Sequence, residues 1–354
     1  MSDSKNSPIV RFPAEWERQS AVQLTWPHPD TDWLPILDDA VRVFADIAAE
    51  VSKRETLLIV CHDVPTVKSQ LRADTNLANV IFAQIPSNDT WARDHAPLSV
   101  FIDDEPVLLD FCFNGWGMKF AADKDNCITR NLFASFRDFL LPTVKYGNCL
   151  DFVLEGGSVE SDGQGTLLVT SQCLLSANRN EHMSHDEIEE FLKARLGADC
   201  VLWLNNGNID GDDTDGHIDT LARFCSPDTI AYVAPPEDEN DEDYYDFCMM
   251  ENELKAFRTK DGEPYKLVPL PYLSYELDGE PQPATYANFL IMNKAVLVPV
   301  YGLPTDEAAL SALRAVFTDR EVVGIDCRPL VQQHGSLHCV TMQYPAGFFL
   351  PTRK

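Results

Sequence analysis

Short apolar segments and amphipathic helical segments alternate along most of the chain, and this alternation constrains the fold more than any other sequence feature. The apolar segments are partly β-branched, which is typical of strands, whereas the helical segments repeat apolar residues at intervals of three and four. The predicted strands are Thr56–Cys61, Val80–Ile85, Leu98–Ile102, Pro106–Phe111, Thr166–Leu175, Cys200–Leu204, Thr229–Ala234, Lys266–Leu270, Phe289–Met292, Ala295–Val300, Glu321–Asp326 and Cys339–Tyr344. The predicted helices are Trp33–Lys53, Ile128–Leu141, His185–Leu196, Asp243–Arg258 and Asp306–Phe317. The pattern therefore predicts an α/β fold.

Candidate helix caps and possible repeats refine this prediction. Asp30–Asp32, Thr305 and Ser184 precede helical segments as candidate N-caps, and Glu187 completes a capping box with Ser184. The last four helices begin at intervals of roughly 60 residues, which suggests a repeated strand-and-helix module without visible sequence self-similarity. The one compositional break, Pro235–Asp243, is typical of a solvated loop that enters a helix. We therefore expect a single domain over residues 1–354.

Charge restricts the classes of partner. The chain has 56 acidic and 28 basic residues, a formal net charge of -28. Nucleic acid is disfavoured because it requires clustered basic residues, whereas a cationic ligand would be attracted. The same charge could also serve solubility alone. Met1–Trp16 lacks the apolar core of a secretory signal, and the longest apolar stretch, Phe289–Val300, is interrupted and too short for a bilayer. We expect a cytoplasmic protein that contacts neither membrane nor nucleic acid.

The ten cysteines are scattered singly, with no Cys-x-x-Cys pair. This spacing argues against a disulfide framework and against a structural zinc site. Most of these thiols are expected to be small buried groups in a reducing compartment. A single reactive cysteine would not stand out in such a count.

Two polar clusters combine acids with a histidine. The first, Asn88–His95, contains Trp91, Arg93 and Asp94 and leads into a predicted strand; an Asx-rich turn explains it equally well. The second, Asn205–Asp219, resembles a calcium-binding loop, but its spacing fails that pattern. In the second cluster, His217 and Asp219 would share one face if the segment is extended. A structural His–Asp pair is the alternative explanation.

Two further motifs contain glycine. Gln332–His338 is a turn-like segment that precedes Cys339 at the start of a predicted strand, where a thiolate could act as a nucleophile. On a strand His338 would face away from Cys339 and would be a poor base for it. Glu155 stands before Gly156 and Gly157, where the backbone must bend or approach another group closely. Each motif alone has a structural explanation, and the prediction of a site rests on their joint occurrence.

Taken in order, these motifs resemble the agmatine deiminase and bacterial peptidyl-arginine deiminase-like family of guanidino-group-modifying enzymes. The resemblance covers nearly the whole chain. It rests on the segments Phe12–Trp16, Thr25–Pro27, Trp91–Asp94, Glu155–Ser158, Asp213–Asp219, Tyr286–Phe289 and His338–Cys339. It implies the pentein fold, an α/β propeller of five strand-helix modules around a central active-site channel.

The resemblance also implies roles for individual residues. Cys339 would be the nucleophile, His217 the general acid and base, and Glu155 the group that orients and charges His217. Asp94 and Asp219 would hold the guanidinium of the substrate, and Trp91 and Arg93 are further expected substrate contacts. No metal or organic cofactor is required, and a homo-oligomer is possible.

Departures from the family pattern affect the expected substrate. His334–Leu337 stands where agmatine deiminases are expected to have three glycines, Asn and Ile, and Thr220 follows Asp219 where Asn is common. We expect hydrolysis of agmatine to N-carbamoylputrescine and ammonia, a step of putrescine biosynthesis. The alternatives are deimination of peptidyl-arginine, a cysteine protease or amidase, and a cation-binding protein without catalysis.

Overall fold

The computed structural model describes residues 8–351. It is a mixed α/β structure, as the alternation of patterns predicted. The expectation that Met1–Trp16 is no signal peptide falls partly on residues 1–7, which lie outside the described residues. Within residues 8–351, no helix combines the length and the apolar character needed to cross a bilayer.

The strands form five sheets of three or four strands and one small hairpin within the described residues. Their central strands are buried along almost their whole length, because apolar side chains cover both faces. The strands are β1 (Val10–Arg11), β2 (Gln19–Thr25), β3 (Thr56–Cys61), β4 (Val80–Gln84), β5 (Leu98–Ile102), β6 (Glu105–Cys112), β7 (Lys145–Val153), β8 (Val159–Ser161), β9 (Thr166–Thr170), β10 (Cys200–Leu204), β11 (Ala222–Ser226), β12 (Thr229–Val233), β13 (Lys266–Leu270), β14 (Glu276–Leu277), β15 (Glu280–Pro281), β16 (Leu290–Met292), β17 (Ala295–Val300), β18 (Glu321–Asp326) and β19 (Thr341–Pro345).

Within residues 8–351, five helices have eight residues or more, and most of the others are single turns. The single turns lie at the ends of strands, where they present polar side chains. The helices are α1 (Leu37–Ser52), α2 (Val64–Gln70), α3 (Ala92–His95), α4 (Gly115–Met118), α5 (Ile128–Ser135), α6 (Ser171–Leu174), α7 (His185–Leu196), α8 (Ile218–Leu221), α9 (Tyr244–Ala256), α10 (Asp306–Val316) and α11 (Arg328–Val331).

The five larger sheets share one local topology. Each contains an antiparallel pair and a further strand that pairs in parallel after a helical crossover. In the sheet of β5, β6 and β7, for example, β5 pairs antiparallel with β6, and α5 precedes the parallel strand β7. The crossovers in the other four sheets contain α1, α7, α9 and α10. A common strand-and-helix unit is thus present in each of the five sheets.

Local sequence signals explain where several elements begin and end. Ser184 and Glu187 form the expected capping box at the start of α7, which ends at Gly197 in a left-handed conformation with φ of 69°. The expected cap by Asp30–Asp32 was wrong, because a 3-10 turn with proline at its start, Leu34–Ile36, precedes α1. Thr305 occupies the N-cap position of α10 without a side-chain cap hydrogen bond.

Two strand predictions need correction near the polar clusters. The predicted strand Thr166–Leu175 ends at Thr170, because the Thr170 hydroxyl accepts a hydrogen bond from the Cys173 amide and starts α6. The predicted strand Cys339–Tyr344 begins only at Thr341. Cys339 therefore lies in the turn before β19 and not on the strand itself.

The strand that follows Cys339 closes a sheet with a strand from the opposite end of the sequence. β19 pairs antiparallel with β2, and Thr341 lies opposite Leu24. β2 in turn pairs in parallel with β3. The turn that contains Cys339 is thereby anchored to one of the most deeply buried sheets of the structure.

Candidate active site

Cys339 lines a cavity of about 360 Å³ and is 7% exposed. The side-chain carbonyl of Asn288 fixes the turn: its Oδ1 accepts hydrogen bonds from the His338 amide at 2.8 Å and from the Cys339 amide at 3.3 Å. The Cys339 thiol donates to the same oxygen over 3.4 Å. Asp94 and Trp91 line the cavity beside Cys339. One asparagine thus positions the backbone and the sulfur of the expected nucleophile.

The protonation state of Cys339 follows from its surroundings. Burial raises the pKa of the Cys339 thiol well above its usual value, and the nearby carboxylates of Asp219 and Asp94 raise it further. The protein without substrate therefore holds a neutral thiol. A cation bound between the sulfur and the two carboxylates would reverse the electrostatic part of this shift.

Asp94 is a cavity carboxylate whose two oxygens are both held by hydrogen bonds. It lies on the single-turn helix α3, its Oδ1 accepts a hydrogen bond from the Gly157 amide at 3.1 Å, and its Oδ2 accepts one from Trp116 Nε1 at 3.0 Å. Burial raises the pKa of Asp94 to about 6; Asp219 and Glu155 add to the rise, whereas His217 and Trp116 oppose it. Asp94 is therefore ionised at neutral pH but protonates in mild acid.

His217 and Asp219 meet Asp94 at Gly157. The expectation that residues 217–219 are extended was wrong, because His217 immediately precedes α8 and Asp219 lies within it. A Cβ atom on Gly157 would lie 2.5 Å from His217 Nδ1, 2.9 Å from Asp94 Oδ1 and 3.2 Å from Asp219 Oδ1. The close approach expected at this glycine is therefore present, and it brings the three side chains together.

Electrostatics favour a protonated His217. Burial lowers the pKa of His217, but Asp94, Cys173 and Glu155 outweigh burial and raise it well above the usual value. His217 Nδ1 lies 3.6 Å from Asp94 Oδ1, and its Nε2 has no hydrogen-bond partner among residues 8–351. An imidazolium with a free N–H can donate a proton to a bound group.

Asp219 has one occupied and one free oxygen. Its Oδ2 lies 2.7 Å from His338 Nδ1, whereas its Oδ1 has no hydrogen-bond partner within the described part of the chain. Burial raises the pKa of Asp219, but its hydrogen bond to His338 and the charges of His338 and His217 lower it overall. Asp219 therefore offers an ionised, unoccupied acceptor next to Asp94.

Glu155 is fully buried close to His217 but has a different direct partner. Arg179 Nε lies 3.1 Å from both carboxylate oxygens of Glu155. Side-chain atoms of Glu155, Cys173 and His217 all lie within 4.8 Å of one another. The charge of Glu155 helps to raise the pKa of His217, while Arg179 holds the carboxylate in place.

Trp91 and Arg93 differ in their position relative to the cavity. Trp91 lines the cavity, and a Cβ on Gly335 would lie only 2.1 Å from its ring, so a glycine is required at this contact. Arg93 is not among the cavity-lining residues: its guanidinium lies 3.6 Å from Glu15 and borders a separate cavity. Within the described residues, the structure therefore does not bring Arg93 to the expected substrate.

Sequence reasoning missed several residues of the site. Trp116, Cys173 and Arg179 had no local signal, because their partners are distant in the sequence. Asn288 stood within the Tyr286–Phe289 motif but received no role. His338 was set aside as a base, although it contacts Asp219 directly.

Residues 11–345 match the family model of Porphyromonas-type peptidyl-arginine deiminase. The chain belongs to this family. Among the curated relatives of this chain, the putative agmatine deiminase of Lactococcus lactis is 33% identical, and the match covers 95% of each chain. The agmatine deiminase of Pseudomonas aeruginosa is 32% identical and covers 98% of this chain and 99% of the relative. The predictions of the family and of a hydrolase acting on C–N bonds are confirmed.

Solved structures of the deiminase family agree with the sequence comparisons. The putative arginine deiminase from Porphyromonas gingivalis superposes with a TM-score of 0.92 at 52% identity and covers 96% of this chain and 100% of its own. A substrate-bound variant of the agmatine deiminase of C. jejuni has a TM-score of 0.89 at 33% identity and complete coverage of both chains. The names of these deiminases differ in substrate, so the family alone leaves the substrate open.

Proposed function

We propose that the protein hydrolyses a guanidinium substrate through a covalent adduct with Cys339, and that the substrate is agmatine. The products would be N-carbamoylputrescine and ammonia, which assigns the enzyme to putrescine biosynthesis. The observation that carries this proposal is the convergence of Asp94, Asp219 and His217 around Gly157, together with the position of Asp94 beside Cys339 in the lining of one cavity.

Binding of the guanidinium prepares the nucleophile. A guanidinium is planar, stays charged at neutral pH and presents forked N–H donors that suit two carboxylates. Asp94 and the free Oδ1 of Asp219 accept these donors, and the cation offsets the negative charge that keeps the Cys339 thiol protonated. The bound substrate thereby promotes loss of the thiol proton to solvent and formation of the thiolate that attacks the substrate.

The chemical steps follow from the same groups. The Cys339 sulfur adds to the central guanidinium carbon, and the C=N electron pair moves onto nitrogen to give a tetrahedral adduct. His217 protonates one nitrogen, the C–N bond breaks, and ammonia leaves a thiouronium. Water then adds to the thiouronium carbon while His217 accepts one of its protons. The remaining hydroxyl proton passes to the departing sulfur as the C–S bond breaks, which releases the ureido product and restores the Cys339 thiol.

The lining of the cavity favours agmatine over free arginine. Carboxylates of Asp32, Asp89 and Asp213 line the cavity together with Asp94, and none of the described lining residues is a lysine or an arginine. Burial raises the pKa values of Asp89 and Asp213 to about 6, so both are ionised at neutral pH. Such a lining attracts the ammonium of agmatine and repels the carboxylate of arginine.

Peptidyl-arginine is the second candidate substrate, and the name of the matching family model favours it. A cysteine protease or amidase fits less well, because Asp94 and Asp219 would repel a developing oxyanion near Cys339. A cation-binding protein without catalysis would leave the position of the Cys339 thiol beside Asp94 in the cavity unexplained.

The remaining predictions belong to the same proposal. The five sheets would surround a central channel as one pentein domain over residues 1–354. The protein would act in the cytoplasm without metal or cofactor, as a monomer or homo-oligomer, and without nucleic-acid or membrane partners.

The test is incubation with agmatine, free arginine and an arginine peptide in separate reactions, followed by assays of ammonia and of the ureido product. We expect turnover of agmatine, loss of turnover in Cys339→Ala, and retained turnover in Cys200→Ala, which removes an exposed cysteine. Turnover of the peptide in place of agmatine would establish the second candidate. A folded protein that is inactive on all three substrates would disprove the deiminase proposal.

A further inference from the structure

His338 is a buried histidine that bridges two carboxylates. It is 1% exposed; its Nδ1 lies 2.7 Å from Asp219 Oδ2 and its Nε2 lies 2.8 Å from Glu15 Oε2. An ionised carboxylate can only accept hydrogen bonds, whereas a neutral imidazole has a single N–H. Two short contacts to carboxylate oxygens are both hydrogen bonds only if both ring nitrogens of His338 donate, as they do in an imidazolium.

Both carboxylates at the ends of this bridge are ionised. Glu15 Oε2 also accepts a hydrogen bond from Arg223 Nη2 at 2.9 Å, and Glu15 Oε1 accepts one from the Ile291 amide at 2.6 Å. Burial raises the pKa of Glu15, but Arg223, His338 and Arg93 outweigh burial and lower it far below the usual value. The pKa of Asp219 is lowered as well. His338 thus bridges two ionised carboxylates.

We propose that His338 is a positioning residue, which turns Asp219 so that Oδ1 is left for the guanidinium and keeps its carboxylate ionised inside the protein. This inference rests on the proposed role of Asp219 in substrate binding. His338 also precedes Cys339, and the amides of both residues bind Asn288 Oδ1. The dipeptide His338–Cys339 therefore contains the proposed nucleophile and also positions Asp219, one of the two carboxylates proposed to bind the substrate.

The charges around His338 show why an uncharged side chain could not replace it. Three acids surround the ring: Asp219 on α8, Glu15 before β2 and Glu160 on β8. Two cations oppose them: Arg223 on β11 pairs with Glu15 and Glu160, and Arg93 on α3 lies 3.6 Å from Glu15. The proton on His338 brings this buried group of six charges to neutrality.

Removal of the imidazolium would leave one uncompensated negative charge in the interior. Such a charge is costly, so a carboxylate in the group takes up a proton instead. Without His338, Glu15 keeps its 2.9 Å ion pair with Arg223, whereas Asp219 keeps no ion pair within the described residues and is the carboxyl group expected to protonate. A protonated Asp219 would accept the guanidinium poorly, and substrate binding would then require a higher pH.

The experiment compares the pH profile of kcat/KM for agmatine in the wild type, His338→Asn and Glu15→Gln. Asparagine retains one donor near Asp219 without the charge. We expect the acid limb of His338→Asn, the pH below which kcat/KM falls, to lie about one pH unit higher, so that kcat/KM falls on the order of 10-fold at pH 5, mainly through KM. Glu15→Gln is expected to lower kcat/KM less. His95→Asn is the control: it removes a buried histidine whose ring packs on Phe113, and its acid limb should match the wild type.

A measurement without turnover separates this inference from the proposed function. In the wild type labelled with 15N-histidine, the His338 ring, assigned through the His338→Asn spectrum, should show two protonated nitrogens at neutral pH. A neutral His338 tautomer would overturn the inference whatever the substrate is. An acid limb in folded His338→Asn that coincides with the wild type would overturn it while the deiminase proposal stands. If the wild type is inactive on every guanidinium substrate, the deiminase proposal fails and the spectrum still decides whether His338 is an imidazolium.

Discussion

The indole Nε1 of Trp116 donates a 3.0 Å hydrogen bond to Oδ2 of Asp94. The other oxygen of Asp94 is held by the Gly157 amide, so the carboxylate is fixed at both ends. Trp116 adopts a left-handed backbone conformation, with φ of 55°, to make this contact. The hydrogen bond stabilises the ionised carboxylate, which burial disfavours.

Trp116→Phe should therefore move the acid limb of kcat/KM upward. The wild-type limb is expected near pH 6, because the pKa of Asp94 is raised to about 6 and substrate binding fails once it is protonated. Loss of a hydrogen bond to a charged group is worth about 1.5–3 kcal/mol, which corresponds to an upward shift of about one to two pH units. The check is kcat/KM between pH 5 and 9. Trp203→Phe, which loses a similar hydrogen bond to Glu189, serves as the control. An acid limb at the same pH in both variants would contradict the assignment of this limb to Asp94.

Gly157→Ala should impair catalysis more than folding. The added methyl group would meet His217 Nδ1 at 2.5 Å and Asp94 Oδ1 at 2.9 Å. His217, the proposed acid and base, and Asp94, the proposed partner of the guanidinium, must therefore move apart. Displacements of this size cost on the order of 10²-fold in rate. The measurements are kcat and the thermal midpoint. Gly262→Ala, at a turn where the methyl group meets nothing within 4 Å, should keep its rate; a Gly157→Ala enzyme with the wild-type kcat would refute the argument.

Cys339 should react faster with a cationic alkylating agent than with a neutral one. Burial and the carboxylates of Asp219 and Asp94 keep the free thiol protonated, whereas an amidinium supplies the charge that a guanidinium would supply. We expect 2-chloroacetamidine to inactivate the enzyme at least 10-fold faster than chloroacetamide at pH 7.5, relative to their rates with a free thiol. Mass spectrometry should locate the adduct on Cys339. Asp94→Asn should reduce the difference between the two inactivation rates. Equal relative inactivation rates in the wild type would rule out activation of Cys339 by the charge of the reagent.

Arg179→Gln should strongly destabilise the fold. Arg179 and Glu155 both have fully buried side chains, and the substitution leaves the carboxylate without its ion-pair partner. Breaking a buried ion pair on one side costs about 3–5 kcal/mol in the free energy of unfolding. The measurement is urea denaturation. The double variant Glu155→Gln with Arg179→Gln should regain part of the loss, and a single variant that loses less than about 1 kcal/mol would contradict a tight pair.

Much of the fold could be predicted from local sequence patterns. The strands Thr56–Cys61 and Ala295–Val300 were predicted with their observed bounds, because continuous apolar runs identify buried strands. The helix His185–Leu196 was predicted because its capping box and Gly197 mark both ends. Predictions failed where one residue overrides periodicity, as at Thr170, whose hydroxyl ends a strand and starts a helix.

The candidate site was only partly accessible from the sequence. Asp94, His217 and Cys339 lie in motifs that combine acids, glycines and a nucleophile, and the structure brings them together. The contacts of Trp116, Arg179 and His338 join residues 22 to 323 positions apart, and no local pattern records such pairs. Arg93 was misjudged for the same reason: its neighbour in sequence, Asp94, faces the cavity, while its own side chain turns to Glu15.

The antiparallel pairing of β19 with β2 also has a consequence for the order of folding. The residues that position Cys339 are fixed only after segments more than 300 positions apart in the chain have met, and such long-range pairing is among the slow events of folding. A chain that has formed its local helices and hairpins but not this pair has no correctly placed sulfur. Recovery of deiminase activity after dilution from denaturant should therefore lag behind recovery of secondary structure. The covalent chemistry proposed for Cys339 would therefore be absent from chains that have not finished folding.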